Sequence, residues 1–113
     1  MRLISREELK EKLDRGDDFK LVMVLGEWAF RAKHIPGSLN VFAPEIGRRL
    51  LHPDDEIVVY CSGEGCVASV YAFRQLEANG YKHVRRYAGG IEDWEQAGYP
   101  LEGEMVKQES SQG

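Results

Sequence analysis

The sequence predicts an α/β protein in which helices cover both faces of a parallel sheet. Residues 19–25 and residues 57–60 are almost wholly apolar, which is the pattern of strands that are covered on both faces. Segments of helical periodicity alternate with such strands along the chain. Because successive parallel strands need a crossover that is usually a helix, this alternation favours a parallel sheet over an antiparallel one.

The first half of the chain contains one marked helix start. Ser5 and Glu8 have the spacing of a capping box, so a helix is predicted over residues 5–15, with the chain turning at Gly16. The strand at residues 19–25 follows. The weaker elements after it are a short helix, a brief strand and a helix that begins with a proline, at residues 27–32, residues 39–42 and from Pro44 to about residue 51.

The second half is organised around a cysteine that directly follows a strand. The strand at residues 57–60 ends at Cys61, and residues 69–79 have helical periodicity with a stop at Asn79 and Gly80. A strand at 83–87 and a helix at 91–97 complete the pattern. Parallel α/β sheets bind their ligands beyond the carboxyl ends of the strands, so Cys61 lies where a site is expected.

Composition limits the partners. The chain has 113 residues and a formal net charge of -4, and residues 1–103 are predicted to form one domain with a disordered polar tail at 104–113. The charge gives no basis for a nucleic-acid or membrane partner, and the lack of a long apolar run predicts a cytoplasmic protein. Two cysteines and three scattered histidines have no zinc spacing, so no metal is expected.

The segment between the second strand and its helix is the candidate active site. Two glycines allow a tight turn, and the loop amides together with the free amides of the following helix form an anion-binding arrangement. Such surroundings lower the pKa of a thiol and make it nucleophilic. The predicted catalytic and substrate-binding residues are Cys61, Ser62, Gly63, Glu64, Gly65, Cys66, Val67, Ala68 and Ser69.

Either cysteine of this loop is a candidate nucleophile. Cys61 is favoured because it ends the strand, whereas Cys66 is closer to the start of the helix. Their spacing also permits a disulfide, in which Cys66 would resolve an intermediate on Cys61 or complete a redox switch. A free cysteine can equally be a small apolar core residue, so a purely structural role remains an alternative for each.

Three segments in the same order resemble the rhodanese, or thiosulfate sulfurtransferase, family. They are residues 33–40 (KHIPGSLN), residues 58–61 (VVYC) and residues 87–94 (YAGGIEDW), followed by AGYP at 97–100. The resemblance implies a five-stranded parallel sheet flanked by helices, no metal or organic cofactor, and a persulfide on Cys61. It also implies a small sulfur donor, and a thiol, cyanide or acceptor protein as the recipient of the sulfane sulfur.

The sequence departs from the family pattern at several positions. Met23 and Leu25 stand where single-domain members usually carry an aspartate and an arginine, and the cysteine loop is about two residues longer and contains Glu64 but no basic residue. These departures leave two alternatives to a sulfurtransferase open. One is a binding or regulatory module with negligible turnover, and the other is a thiol-redox protein that uses both cysteines.

Residues outside the loop are given structural roles. Trp28 and Trp94 lie in helical segments and are predicted to be packing anchors. Arg85 and Arg86 flank the last strand and are predicted to be solvated, which is the ordinary state of such side chains.

Overall fold

Helices and strands alternate along the chain as predicted. The structure is a computed structural model that describes residues 1–47 and 51–106. Within these residues the elements are α1 (Arg6–Arg15), β1 (Lys20–Met23), α2 (Glu27–Ala32), β2 (Leu39–Asn40), a 3-10 helix (Ala43–Glu45), β3 (Glu56–Tyr60), α3 (Ala68–Ala78), β4 (His83–Tyr87) and α4 (Gly90–Gln96). None of the described helices is long and apolar enough to cross a membrane.

The strands form one parallel sheet in the order β2-β1-β3-β4. The two apolar runs of the sequence are therefore the two central strands, which pair in a register that places Val22 beside Val59. All four strands run in the same direction, so their carboxyl ends share one edge of the sheet, here called the carboxyl edge. Cys61 follows β3 at that edge, which confirms the predicted α/β architecture and places the cysteine loop beyond it.

The expectation of five strands is wrong by one within the described residues. Beside β4, where a further strand would lie, only an isolated parallel bridge joins Leu3 and Arg86. The Ile4 amide donates to the Arg86 carbonyl oxygen at 3.1 Å, and the Arg86 amide donates to the Arg2 carbonyl oxygen at 2.9 Å. The chain then enters α1 at its N-cap, Ser5, so too few residues remain for a full strand.

Two apolar clusters lie on opposite faces of the sheet. Alternate residues of each strand point to opposite faces, so Val22 and Val59 contribute to one cluster while Leu21 and Val58 contribute to the other. The first cluster is completed by α3, and the second by α1 and α4. Helices therefore cover both faces, and the best-buried large side chains outside the strands include Leu9, Phe73, Leu76 and Trp94.

The structure bears on three further sequence predictions. Trp94 is 1% exposed and packs as an anchor, whereas Trp28 is 85% exposed, so its predicted packing role is wrong. The predicted helix from Pro44 starts as the 3-10 helix, but its residues 48–50 lie outside the described residues. In the predicted tail, the Glu104 and Met105 amides donate to carbonyl oxygens of α2, and residues 107–113 lie outside the described residues.

The cap of α1 offers a simple test of the local structure. The Ser5 side-chain oxygen accepts a hydrogen bond from the Glu8 amide at 3.1 Å. Ser5→Ala is expected to lower the free energy of unfolding by about 1 kcal/mol, because that amide loses its partner. Urea unfolding followed by circular dichroism measures the effect, and an unchanged midpoint would contradict the capping role.

Candidate active site

The strand end that carries the cysteine is fixed by a buried tyrosine. The Tyr60 hydroxyl accepts from the Ile35 amide at 3.0 Å and lies 2.9 Å from the Ser38 hydroxyl oxygen. Because Ser38 donates its own hydrogen to the Ile35 carbonyl oxygen, Tyr60 is the donor to Ser38. Burial raises the pKa of Tyr60 to about 12 and keeps it a donor. The segment at 33–40 thus anchors the residue next to Cys61.

The start of the cysteine loop is held by the amino end of α4. The Ile91 amide donates to the Cys61 carbonyl oxygen at 3.0 Å, and the Glu92 amide donates to the Ser62 carbonyl oxygen at 2.9 Å. These bonds need close approach at Gly90, where an added Cβ would lie 2.8 Å from the Gly63 nitrogen and also against the Cys61 carbonyl oxygen. Gly90, the first residue of α4, therefore has a direct role in shaping the loop.

The loop folds back on itself between its two glycines. The Cys66 amide donates to the Gly63 carbonyl oxygen at 3.1 Å, which closes a turn over residues 63–66. The turn returns the second cysteine to the first, and the structure joins Cys61 and Cys66 as a disulfide with a Cα–Cα distance of 6.5 Å. That separation lies within the range that disulfides span. Of the arrangements that the sequence left open, the structure contains the bonded pair.

The predicted loop residues differ in exposure. Cys61, Gly63 and Ser69 are buried, and Cys66 and Ala68 are half-buried. The others face solvent, namely Ser62, Glu64, Gly65 and Val67. The Glu64 carboxylate is thus in water, where its repulsion of an anionic ligand is screened.

Ser69 links Cys61 to an arginine on the neighbouring strand. Arg86 Nε donates to Ser69 Oγ at 2.7 Å, and Ser69 Oγ lies 3.4 Å from Cys61 Sγ. Since the hydroxyl oxygen accepts from Arg86, its hydrogen is free to be donated to the sulfur. A second guanidinium nitrogen, Nη2, lies 3.4 Å from the Glu64 carbonyl oxygen. The arginine therefore contacts both the middle and the end of the cysteine loop.

The sequence prediction of a solvated Arg86 is wrong. Its exposed fraction is 8%, and within the described residues no carboxylate lies within 4.0 Å of its guanidinium. Neighbouring Arg85 instead points to the other face and pairs with Glu8 and Glu56. A signal for this was present in the sequence, because Arg86 is two residues from the apolar Val84 and so shares its face of the sheet. Arg86 therefore brings a buried positive charge to a loop that contains no basic residue of its own.

The two positions that depart from the family pattern belong to the core. Met23 is 2% exposed within the cluster that contains Tyr60 and Trp94, and Leu25 packs partly buried against both clusters.

No group of three or more histidine, cysteine or acidic side chains within the described part of the chain is placed to hold a metal ion.

A parallel sheet covered on both faces, with a cysteine loop at its carboxyl edge, defines an α/β domain whose candidate site is that loop. Residues 5–97 match the family model described as "Rhodanese-like domain". The chain belongs to the rhodanese-like family, and the resemblance of its three sequence segments is confirmed.

Two curated relatives are longer than this chain. The HTH-type transcriptional regulator Rv0324 of Mycobacterium tuberculosis is 36% identical over 101 residues, which are 88% of this chain and 44% of the relative. The putative sulfur carrier protein YrkF of Bacillus subtilis is 31% identical over 94 residues, which are 80% of this chain and 49% of that protein. The chain thus spans about half the length of the curated relatives that it matches.

Solved structures share the fold. The rhodanese-like domain of the Alr3790 protein from Anabaena sp. has a TM-score of 0.83 at 25% identity and covers 93% of this chain and 81% of its own. The human single-domain sulfurtransferase TSTD1 has a TM-score of 0.75 at 23% identity, covering 85% and 96% of the two chains. At this identity the human protein supports the fold alone.

Proposed function

We propose that this domain is a sulfurtransferase that carries a sulfane sulfur as a persulfide on Cys61. The observation that carries the proposal is the contact chain from Arg86 through Ser69 to the Cys61 sulfur, with 2.7 Å and 3.4 Å between successive atoms. A positive charge and a hydroxyl donor directed at a buried sulfur stabilise its anionic form, whether thiolate or persulfide. The name of the relative described as a putative sulfur carrier protein is consistent with this chemistry.

The transfer has two displacement steps. In the first, the Cys61 thiolate attacks the outer sulfur of thiosulfate or the terminal sulfur of a hydropolysulfide, and sulfite or the shortened polysulfide leaves with the electron pair of the broken S–S bond. In the second, a thiolate or cyanide attacks the outer sulfur of the persulfide and the Cys61 thiolate leaves. No net oxidation occurs at Cys61, so no metal or organic cofactor is required.

Each part of the site has a role in this scheme. Ser69 donates to the anionic sulfur, and Arg86 polarises that hydroxyl and adds charge where the loop has none. Ser69 lies in the first turn of α3, and the free amides of a helix start favour an anion. Val67 and Glu64 are the exposed side chains of the same loop, and we expect the small donor and a thiol acceptor, including an acceptor protein, to approach from their side.

The reaction requires both thiols in reduced form, so we propose the reducing cytoplasm as its location. The disulfide between Cys61 and Cys66 is then the oxidised form of the site, and a thiol reductant opens it before sulfur is accepted.

Intact-protein mass spectrometry tests the proposal. The reduced protein is treated with thiosulfate or a polysulfide, and a gain of roughly 32 Da is expected in Cys66→Ser, because one sulfur atom remains on Cys61. Cys61→Ser is expected to gain nothing, since the reactive thiolate is gone. Absence of an adduct from Cys66→Ser with both donors would refute the sulfurtransferase assignment.

A second candidate function is a redox-responsive regulatory module. It is favoured by the disulfide itself and by the relative named as a transcriptional regulator. This function predicts that oxidation alone changes the binding of a partner, with no persulfide formed. The mass experiment separates the two, because only the sulfurtransferase forms an adduct without an oxidant.

A further inference from the structure

We propose that Cys66 is an internal acceptor that resolves the Cys61 persulfide and releases hydrosulfide. The domain would thereby reduce sulfane sulfur to sulfide in addition to transferring it. This inference rests on the proposed persulfide on Cys61 and adds a fate for it that needs no second protein.

The path of the loop carries the argument. The turn closed by the Cys66 amide and the Gly63 carbonyl oxygen returns the second cysteine to the first. The structure bonds the two sulfurs at a Cα–Cα distance of 6.5 Å, so the backbone already has the geometry of the product. When Cys61 carries a persulfide, its Sγ atom is the same atom that the disulfide uses, and it stays within reach of Cys66.

The step balances in atoms and electrons. The Cys66 thiol loses its proton and its sulfur attacks Cys61 Sγ, forming the Cys61–Cys66 bond. The bond from Cys61 Sγ to the outer sulfur breaks, and the outer sulfur leaves with the electron pair, takes up one proton and departs as HS⁻. The two cysteine thiols are oxidised to a disulfide while the sulfane sulfur is reduced by two electrons.

Proximity favours this route over an external thiol. Cys61 is 1% exposed, whereas Cys66 is half-buried within the same short loop. A nucleophile held next to its target reacts at a far higher effective concentration than one in solution. Resolution by Cys66 is therefore expected to precede attack by small thiols at millimolar concentration.

The difference in exposure between the two cysteines also determines which sulfur a reductant attacks when the disulfide is reopened. A dithiol reductant attacks the more accessible sulfur, that of Cys66, and Cys61 leaves as the thiolate that Ser69 and Arg86 stabilise. A leaving thiolate of lower pKa departs faster, so this direction is also the chemically favoured one. A dithiol is thus the co-reactant that completes each turnover.

An anaerobic single-turnover experiment tests the inference. Wild-type protein is reduced, freed of reductant and mixed with one equivalent of thiosulfate, and both protein mass and free sulfide are measured. The expected product is about 2 Da lighter than the dithiol form, through loss of two hydrogens, with one equivalent of sulfide released. When the experiment is repeated with saturating thiosulfate, so that loading is not limiting, the first-order rate constant of sulfide release should not change over a tenfold range of protein concentration, because the step is intramolecular.

The matched variants separate this inference from the proposed function. Cys66→Ser and Cys66→Ala are expected to keep the adduct of roughly 32 Da and to release no sulfide until a thiol is added. A wild-type protein that keeps the same adduct without releasing sulfide would overturn the internal step and leave the sulfurtransferase intact. Failure of both Cys66 variants to gain an adduct, with native circular dichroism, would overturn the two proposals together.

Discussion

Arg86→Gln is expected to slow the reaction of Cys61 with iodoacetamide at pH 7 by about tenfold, which corresponds to about 1.4 kcal/mol of thiolate stabilisation. Arg86 is 8% exposed, and its guanidinium has no carboxylate partner among the described residues and reaches the sulfur through Ser69. Its charge is weakly screened in that position, so its removal destabilises the Cys61 thiolate relative to the thiol and depletes the reactive form.

The measurement is the pH profile of alkylation in a Cys66→Ala background, where Cys61 is the sole thiol. The profile of Arg86→Gln is expected to move to higher pH, whereas Arg86→Lys, which keeps the charge, should recover part of the shift. Arg85→Gln is the matched control, because Arg85 pairs with Glu8 and Glu56 on the opposite face. Superimposable profiles for Arg86→Gln and the control would show that the charge does not act on Cys61.

Gly90→Ala is expected to destabilise the domain by about 3 kcal/mol or more and to prevent persulfide formation. An alanine Cβ would lie against the Cys61 carbonyl oxygen and 2.8 Å from the Gly63 nitrogen, and both are backbone atoms that cannot rotate away. The hydrogen bond from the Ile91 amide to Cys61 would be lost as the loop moves. The backbone at Gly90, with φ of 63°, adds the cost of left-handed geometry.

Gly98→Ala is the control that separates the effect of the close contact with the cysteine loop from the effect of positive φ. Gly98 also has positive φ, at 79°, but a Cβ there meets no atom within 4 Å. Gly98→Ala should therefore lower the free energy of unfolding only by the cost of left-handed backbone geometry, about 1–2 kcal/mol, and should leave the adduct on Cys61 intact. Chemical unfolding and intact mass measure the two effects, and equal losses in both variants would show that the contact with the loop is unimportant.

Local features of the sequence were sufficient to predict most of the framework. Apolar runs of strand length predicted the two central strands, and the capping residues at Ser5 and Glu8 predicted α1 within one residue. Buried strands and helix caps can be predicted from consecutive residues. The first depends on the spacing of apolar side chains along the chain, and the second on hydrogen bonds between residues a few positions apart. The fifth strand was expected by resemblance and is instead a bridge at Leu3, because the helix cap follows too soon.

By itself, the sequence determined the α/β class, the position of Cys61 at the end of a buried strand and its place in a glycine-containing loop. Only the tertiary structure decided which groups surround that sulfur. Arg86 reaches Ser69 because β4 lies beside β3 and presents that side chain to the face of α3, and Gly90 meets Cys61 because α4 returns to the same edge. Such contacts join residues that are distant in the chain. They depend on the order of the strands in the sheet, which no pattern of neighbouring residues predicts.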